Sequence, residues 1–213
     1  QMSLNTHDSD ETINLGLGIR KLLDDDKILV GSNIFYDHQF TEDHKRSGAG
    51  AEVISSIFDF RGNYYNAISK KRVLNDGSSE RALDGWDTQL DYHFHGRFDL
   101  NIFINAFKFE NPDKESEYKE KGNKYGANAT LGHFILEAGY LDDNKDNDSY
   151  FGSIKYVVKF GEEQVNKKPV QWGFNPKVSQ LADVSDKLYQ PVKRENKIRV
   201  VKISSVGVVA SGF

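Results

Sequence analysis

Along residues 12–20 apolar and polar positions alternate. Ile13, Leu15, Leu17 and Ile19 fall on one side of an extended chain, and Asn14, Gly16, Gly18 and Arg20 fall on the other, because successive strand side chains point to opposite faces. The same period of two returns at 28–39, where Ile28, Val30, Ile34 and Tyr36 oppose Gly31, Asn33 and Asp37, and at 46–54 in smaller residues. At 58–69 Phe58, Phe60 and Tyr64 oppose Asp59, Arg61 and Asn63. The clearest case is 86–95, where Trp86, Thr88, Leu90, Tyr92 and Phe94 alternate with Asp87, Gln89, Asp91, His93 and His95. Further strands are predicted at 100–106, 125–131, 134–141 and 150–160, making nine.

Short turns (23–27, near Ser56, 96–97, 132–133) alternate with longer polar loops (41–45, 70–85, 110–121, 142–148). This asymmetry puts tight turns at one end and long loops at the other, as in outer-membrane barrels. Aromatics near strand ends, including Tyr36, Tyr64, Trp86, Phe94, Tyr140 and Tyr150, suit the girdles of such barrels. The expected fold is all-β, an antiparallel transmembrane β-barrel with Ile13, Leu15, Leu17, Leu90, Tyr92, Ile102, Ile104, Ile154 and Tyr156 facing lipid. Alternation does not say which face is inside. A soluble lipocalin-like barrel with the oily residues around an apolar ligand is the alternative.

Past residue 161 the pattern changes. Residues 164–176 are polar and irregular, and 177–189 have helical spacing through Val178, Leu181, Ala182 and Leu188 up to Pro191. Residues 192–202 are basic and extended, and 203–213 are apolar and small. The expected division is strands over 1–161, a helix and linker over 162–202, and a tail or the start of a passenger over 203–213.

The 213 residues carry a net charge near −4 and are 38% apolar. No apolar run approaches the roughly 18 residues of a spanning helix, whereas barrel strands need only about 9–11. Cysteine is absent, which excludes disulfides, thiolate metal sites and cysteine nucleophiles. Basic residues are mixed with acidic ones and do not interleave with aromatics, so no nucleic-acid partner is expected. The first residues show no export signal, which is expected to have been removed or to lie outside this sequence. The four prolines fall outside the alternating segments.

Candidate chemistry is sparse. Asp91, His93 and His95 share a strand face, which admits an outer-membrane hydrolase, but without a complete constellation of nucleophile, base and orienting group the simpler reading is a wet wall. No third ligand completes a metal site at His93 and His95. Residues 142–148 lack the glycine and terminal glutamate of a calcium loop and read as a solvated loop. No helix follows Gly16, Gly18, Gly48 or Gly50, so these make no phosphate loop; they suit narrow places on a wall or strand bends. No enzyme, cofactor or metal is expected.

The run Asn14-Leu-Gly-Leu-Gly-Ile-Arg20, then Val30-Gly-Ser-Asn-Ile-Phe-Tyr-Asp37, the loop 41–45 and Arg46-Ser-Gly-Ala-Gly-Ala-Glu52 resemble the β-domain of the intimin/invasin family, the inverse autotransporters. Echoes continue in Gly85-Trp-Asp-Thr-Gln-Leu-Asp91 and Tyr150-Phe-Gly-Ser-Ile-Lys-Tyr156. Leu188-Tyr-Gln-Pro-Val-Lys-Arg-Glu-Asn-Lys-Ile198 resembles the family's segment after the barrel.

The resemblance implies a bacterial outer-membrane anchor and translocator for a C-terminal adhesive passenger. Its barrel has twelve strands, and the linker turns back through the lumen. Nine strands would correspond to the last nine of these, the others being removed, supplied by another chain or not legible. Implied partners are outer-membrane lipid, the chain's own passenger, the barrel-assembly machinery and, through the passenger, a host-cell receptor. The wall of the lumen is expected to include Asn14, Arg20, Asp37, Glu52, Asp59, Asp91, His93, Glu137, Lys155 and Lys159, with Asp87 adding charge. Lys193, Arg194, Glu195, Asn196 and Lys197 are expected in the pore linker. The basic residues Lys193, Arg194, Lys197 and Arg199 of the linker and the acidic wall are complementary in sign.

Overall fold

A computed structural model describes residues 2–7, 10–94, 99–113, 117–131, 133–145, 148–156, 181–204 and 207–211, with the backbone path alone given before residue 11, at 99 and beyond 204. The strands are β1 (Met2–His7), β2 (Asp10–Leu23), β3 (Ile28–Gln39), β4 (His44–Ser55), β5 (Phe58–Ala67), β6 (Arg72–Val73), β7 (Ser79–Ala82), β8 (Asp84–Phe94), β9 (Asp99–Glu110), β10 (Lys119–Leu131), β11 (Phe134–Asp143), β12 (Ser149–Tyr156), β13 (Val200–Ser204) and β14 (Gly207–Ser211). Strands β1–β5 and β8–β12 form one antiparallel ten-stranded sheet in chain order, and β14-β13-β7-β6 form a second sheet. Among the described residues no ladder joins β12 to β1.

The nine expected strands are all present, and the structure adds a tenth. β1 pairs with the start of β2, Met2 opposite Leu15 and Leu4 opposite Ile13; six residues with only two large apolar side chains gave too short a pattern to read. The loop expected at 70–85 contains the β6–β7 hairpin. Its partner β13 is distant in sequence, so no local signal announced it. The helix expected over 177–189 is overturned where the chain is described: residues 181–190 contain only the 3₁₀ turn Ser185–Lys187. The apolar spacing there serves docking, with Val184 and Leu188 packed against Leu22, Leu29 and Ile54. Within residues 203–213, read as a tail or the start of a passenger, the end of β13 pairs with β14 as a hairpin. His95, Lys159 and the segment 161–180 lie outside the described residues.

The faces of the large sheet are inverted relative to a soluble protein. Leu17 and Ile154 are each 75% exposed, and Leu15 and Leu90 are 43% and 46% exposed, while Asp37 and Asp91 are fully buried. Rows of aliphatic and aromatic side chains in water would forgo about 25 cal/mol for each Å² of apolar surface, so this face belongs against lipid. The inversion overturns the lipocalin-like alternative.

The polar face is the inside of a curl. Glu195 meets Arg46 of β4, Tyr65 of β5 and Lys124 of β10. In a flat sheet β4 and β10 would stand roughly 19 Å apart at the usual strand spacing. Inward rings deepen the curl: Phe35 lies across Gly48 and Phe109 across Gly85, each in the space a Cβ would take. Together with Tyr65, Leu83, Phe107, Tyr118, Leu141 and Val201 these rings form the main apolar cluster.

Candidate functional site

The site is the polar inner face together with residues 181–204, which cross it from one end to the other. At the short-turn end, the Val184 N–H donates to the Asp26 carbonyl (2.8 Å), the Ala182 N–H to Ser56 Oγ (2.9 Å), and Lys187 Nζ to the Ser55 carbonyl (2.9 Å). The β2–β3 turn presents that Asp26 carbonyl through three consecutive left-handed aspartates, Asp24, Asp25 and Asp26, with φ of 53°, 52° and 64°, a conformation Asp tolerates better than most residues. At the long-loop end, the Leu83 N–H donates to the Arg199 carbonyl (3.0 Å), and β13 then pairs with β7, Val200 opposite Ala82 and Lys202 opposite Glu80.

Between these ends buried wall side chains grip the segment. Asp37 accepts from Arg46 Nε and Nη2 (3.0 and 2.7 Å), from Arg194 Nη1 and Nη2 (2.9 and 2.7 Å) and from Asn14 Nδ2 (2.8 Å). Arg46 also donates to the carbonyls of Glu195 (2.7 Å) and Lys197 (3.0 Å), and Asn14 to that of Asn196 (3.1 Å). Arg194 lies 4.0 Å over the Phe35 ring and Arg46 4.4 Å over Tyr65. The Tyr65 hydroxyl accepts from the Glu195 N–H (2.8 Å) and donates to Asp87. Nearer the turns Arg20 donates to Glu52 (2.6 Å) and to the carbonyls of Lys187, Leu188 and Gln190.

A second charged array is centred on Arg61, which contacts Asp59 (2.7 Å), Asp91 (2.8 Å) and Glu52 (3.7 Å). Lys187 and Lys193 join it from the C-terminal segment, on Asp59 (3.3 Å) and Asp91 (3.8 Å). His93 sits between Asp59 (3.0 Å) and Asn101 (2.5 Å). Among the described residues no group of His, Asp and Glu is placed to hold a metal ion.

The structure therefore brings Asn14, Arg20, Asp37, Glu52, Asp59, Asp91 and His93 together with Lys193, Arg194, Glu195, Asn196 and Lys197. Glu137, opposite Asn128 and Ser153, and Lys155, opposite Ile135, stand apart on the last strands. Gly16 and Gly18 border a cavity of about 630 Å³ between β2–β3 and residues 188–192. Arg46, Asn63, Tyr65 and Glu120 escaped the sequence reading as site residues. Arg46 and Tyr65 share their strands' inward parity with Glu52 and Asp59, a signal that was available, whereas Glu120 as the partner of Arg199 depends on a contact no local pattern encodes.

Outside the curl, the β6–β7 hairpin is tied to the rim by Arg72 on Asp43, His44 on Glu80 (3.3 Å) and Arg81 on Asp113 (3.1 Å), and to β13 by Lys202 on Asp76 (2.8 Å). Hydrogen bonds from Lys45 and His38 hold the Asp43 carboxyl down at about 2. Lys202 and Ser78 likewise hold Asp76 below the carboxylate range, and Asp76 raises Lys202.

A curled antiparallel sheet with its oily face outward and its charged face wrapped around a segment of the same chain defines a β-barrel of the outer membrane. The family profile of the inverse autotransporter β-domain matches residues 1–196. The chain belongs to that family, and its place is the bacterial outer membrane, where the family serves as an anchor and translocator domain. A structure solved in work on the in-meso crystallization of membrane proteins is similar to this one, with a TM-score of 0.72 and 20% identity over 92% of this chain and 82% of that one. At that identity the likeness speaks for the fold alone.

Proposed function

We propose that this domain exports a passenger attached beyond its C-terminal segment and then holds it at the cell surface, with residues 181–204 as the linker that fills the lumen. The observation that carries this reading is the path of that segment, from the short-turn end along the charged inner face to the long-loop end. The inner face is the lumen wall, and Asp37, Asp59 and Asp91 meet Arg194, Lys187 and Lys193 there. Long loops face outward in barrels of this kind, so the β13–β7 ladder stands on the external side. Insertion by the barrel-assembly machinery, and an adhesive passenger that meets a host-cell receptor, belong to this reading through the family.

The test is the full chain carrying an epitope after Phe213, expressed in a Gram-negative host. Antibody is expected to label intact cells, with the barrel migrating as a heat-modifiable species in the outer-membrane fraction. An epitope reached only after permeabilisation, with the barrel correctly inserted, overturns the proposal.

A further inference from the structure

We infer that Arg194 is a positioning residue that sets the register of the exported chain within the curl, with Arg199 on Glu120 holding the far end, while the wall contacts to main-chain carbonyls hold the chain without choosing a position. The inference rests on the threaded-linker reading above.

Most of the grip falls on main-chain carbonyls. Arg46 takes those of Glu195 and Lys197, Asn14 that of Asn196, and Asn63 that of Lys193 at 3.5 Å. Every residue offers a carbonyl, and in an extended chain those on one side recur every second residue. A slip of two residues, about 7 Å at the rise of a strand, presents the same wall donors with equivalent acceptors. Arg46 already holds two carbonyls at that spacing, so carbonyl capture is degenerate to such a slip.

Side-chain contacts remove the degeneracy, and they differ in quality. Lys193 reaches Asp91 at 3.8 Å with half of its side chain exposed. Arg194 is 7% exposed, engages both oxygens of the fully buried Asp37 and stacks on Phe35. A planar guanidinium matched to a carboxylate and a ring is not replaceable by a neighbour. After a slip of two, Val192 or Asn196 would face Asp37, and Pro191 or Glu195 would face Asp91. Val184, packed with Leu29 and Ile54, fixes the turn end of the segment, Arg199, 5% exposed on Glu120 and stacked on Phe107 and Phe109, fixes the far end, and between these ends the register is read by Arg194.

The chain has no cysteine, so register can be read by crosslinking in the full-length protein. Asn63→Cys is combined in turn with Pro191→Cys, Lys193→Cys or Glu195→Cys and treated with a short thiol crosslinker, and heat-modifiable migration confirms a folded barrel. With Arg194 present, the crosslink is expected predominantly at 193. In Arg194→Gln, or in Arg194→Met should the Gln variant fail to fold, yield at 193 is expected to fall at least threefold, with the lost fraction appearing at 191 or 195. Arg194→Lys restores part of the yield at 193. A folded Arg194 variant that still crosslinks at 193 alone, at the original yield, overturns the inference. A folded parent that crosslinks at none of the three positions overturns the threaded reading instead.

Discussion

The C-terminal segment is held in two places by opposite means. Inside the curl, residues 187–199 are gripped by charged side chains withdrawn from water, such as Arg46 and Asp37, both fully buried. Outside it, β13 is held by a main-chain ladder to β7, the insertion of Val201 into the apolar cluster, and exposed ion pairs such as Lys202 on Asp76. In the low-dielectric interior a removed partner leaves a costly uncompensated charge. At the exposed rim water replaces a lost partner with little loss. The inner grip therefore depends on particular side chains, and the outer clasp depends on backbone pairing and on apolar packing of Val200 and Val201.

The largest effect that would break this contrast is expected from Asp37→Asn, which leaves Arg46 and Arg194 facing each other around a neutral group. A loss of about 3–5 kcal/mol should appear in denaturant unfolding of the detergent-solubilised barrel, with protease gaining access to residues 190–197 before the β7–β13 ladder opens. Equal damage at both places would show that the two are one cooperative unit.

Tyr65→Phe is expected to cost about 1–3 kcal/mol by leaving the Glu195 N–H and Asp87 short of a partner. Val201→Ala removes two buried carbons, worth about 1.5 kcal/mol at ~0.8 each. Its effect should fall on the clasp, read as faster amide exchange along β13 with residues 190–197 still protected.

The smallest effect is that of Lys202→Ala, which should leave unfolding and exchange unchanged at neutral pH. Acid sharpens the same point. The carboxyls of Asp43 and Asp76 are depressed in the folded state, so their contribution is present above the ordinary carboxylate pKa near 3.8 and is lost as pH falls through their folded values, about 2 for Asp43. Lys202 is raised, so its contribution persists up to its ordinary pKa near 10.5 and fades only above it. Protection factors along β13, from which the intrinsic pH dependence of amide exchange is removed, should thus be flat from about pH 5 to 9 and fall only slightly below about pH 4, because water replaces the protonated partner at this exposed rim.

Much of this molecule was legible in its residues. The strict alternation of β2, β3, β5 and β8 fixed their pairing faces, since a one-residue slip would turn every side chain over, and the acidic wall could be named residue by residue from Asp37 to Asp91. The basic run 193–197 declared its complement by sign. Three kinds of feature were not legible. β1 was too short to show a period, and the spacing of Leu181, Ala182 and Leu188 imitated a helix in a stretch that docks instead through Val184 and Leu188. The aromatic rings Phe35, Tyr65 and Phe109 sit on the polar face against the binary rule because they fill the space over glycines and under arginines.

By itself the sequence determined an antiparallel sheet with one oily and one charged face, because the two-residue period is set by the backbone alone. Tertiary structure decided which face encloses the other, that residues 181–204 cross the interior, and that β13 closes on β7. Those outcomes rest on contacts between residues far apart in the chain, such as Arg46 with Lys197 and Val200 with Ala82, and on burial of charge, neither of which any local pattern contains.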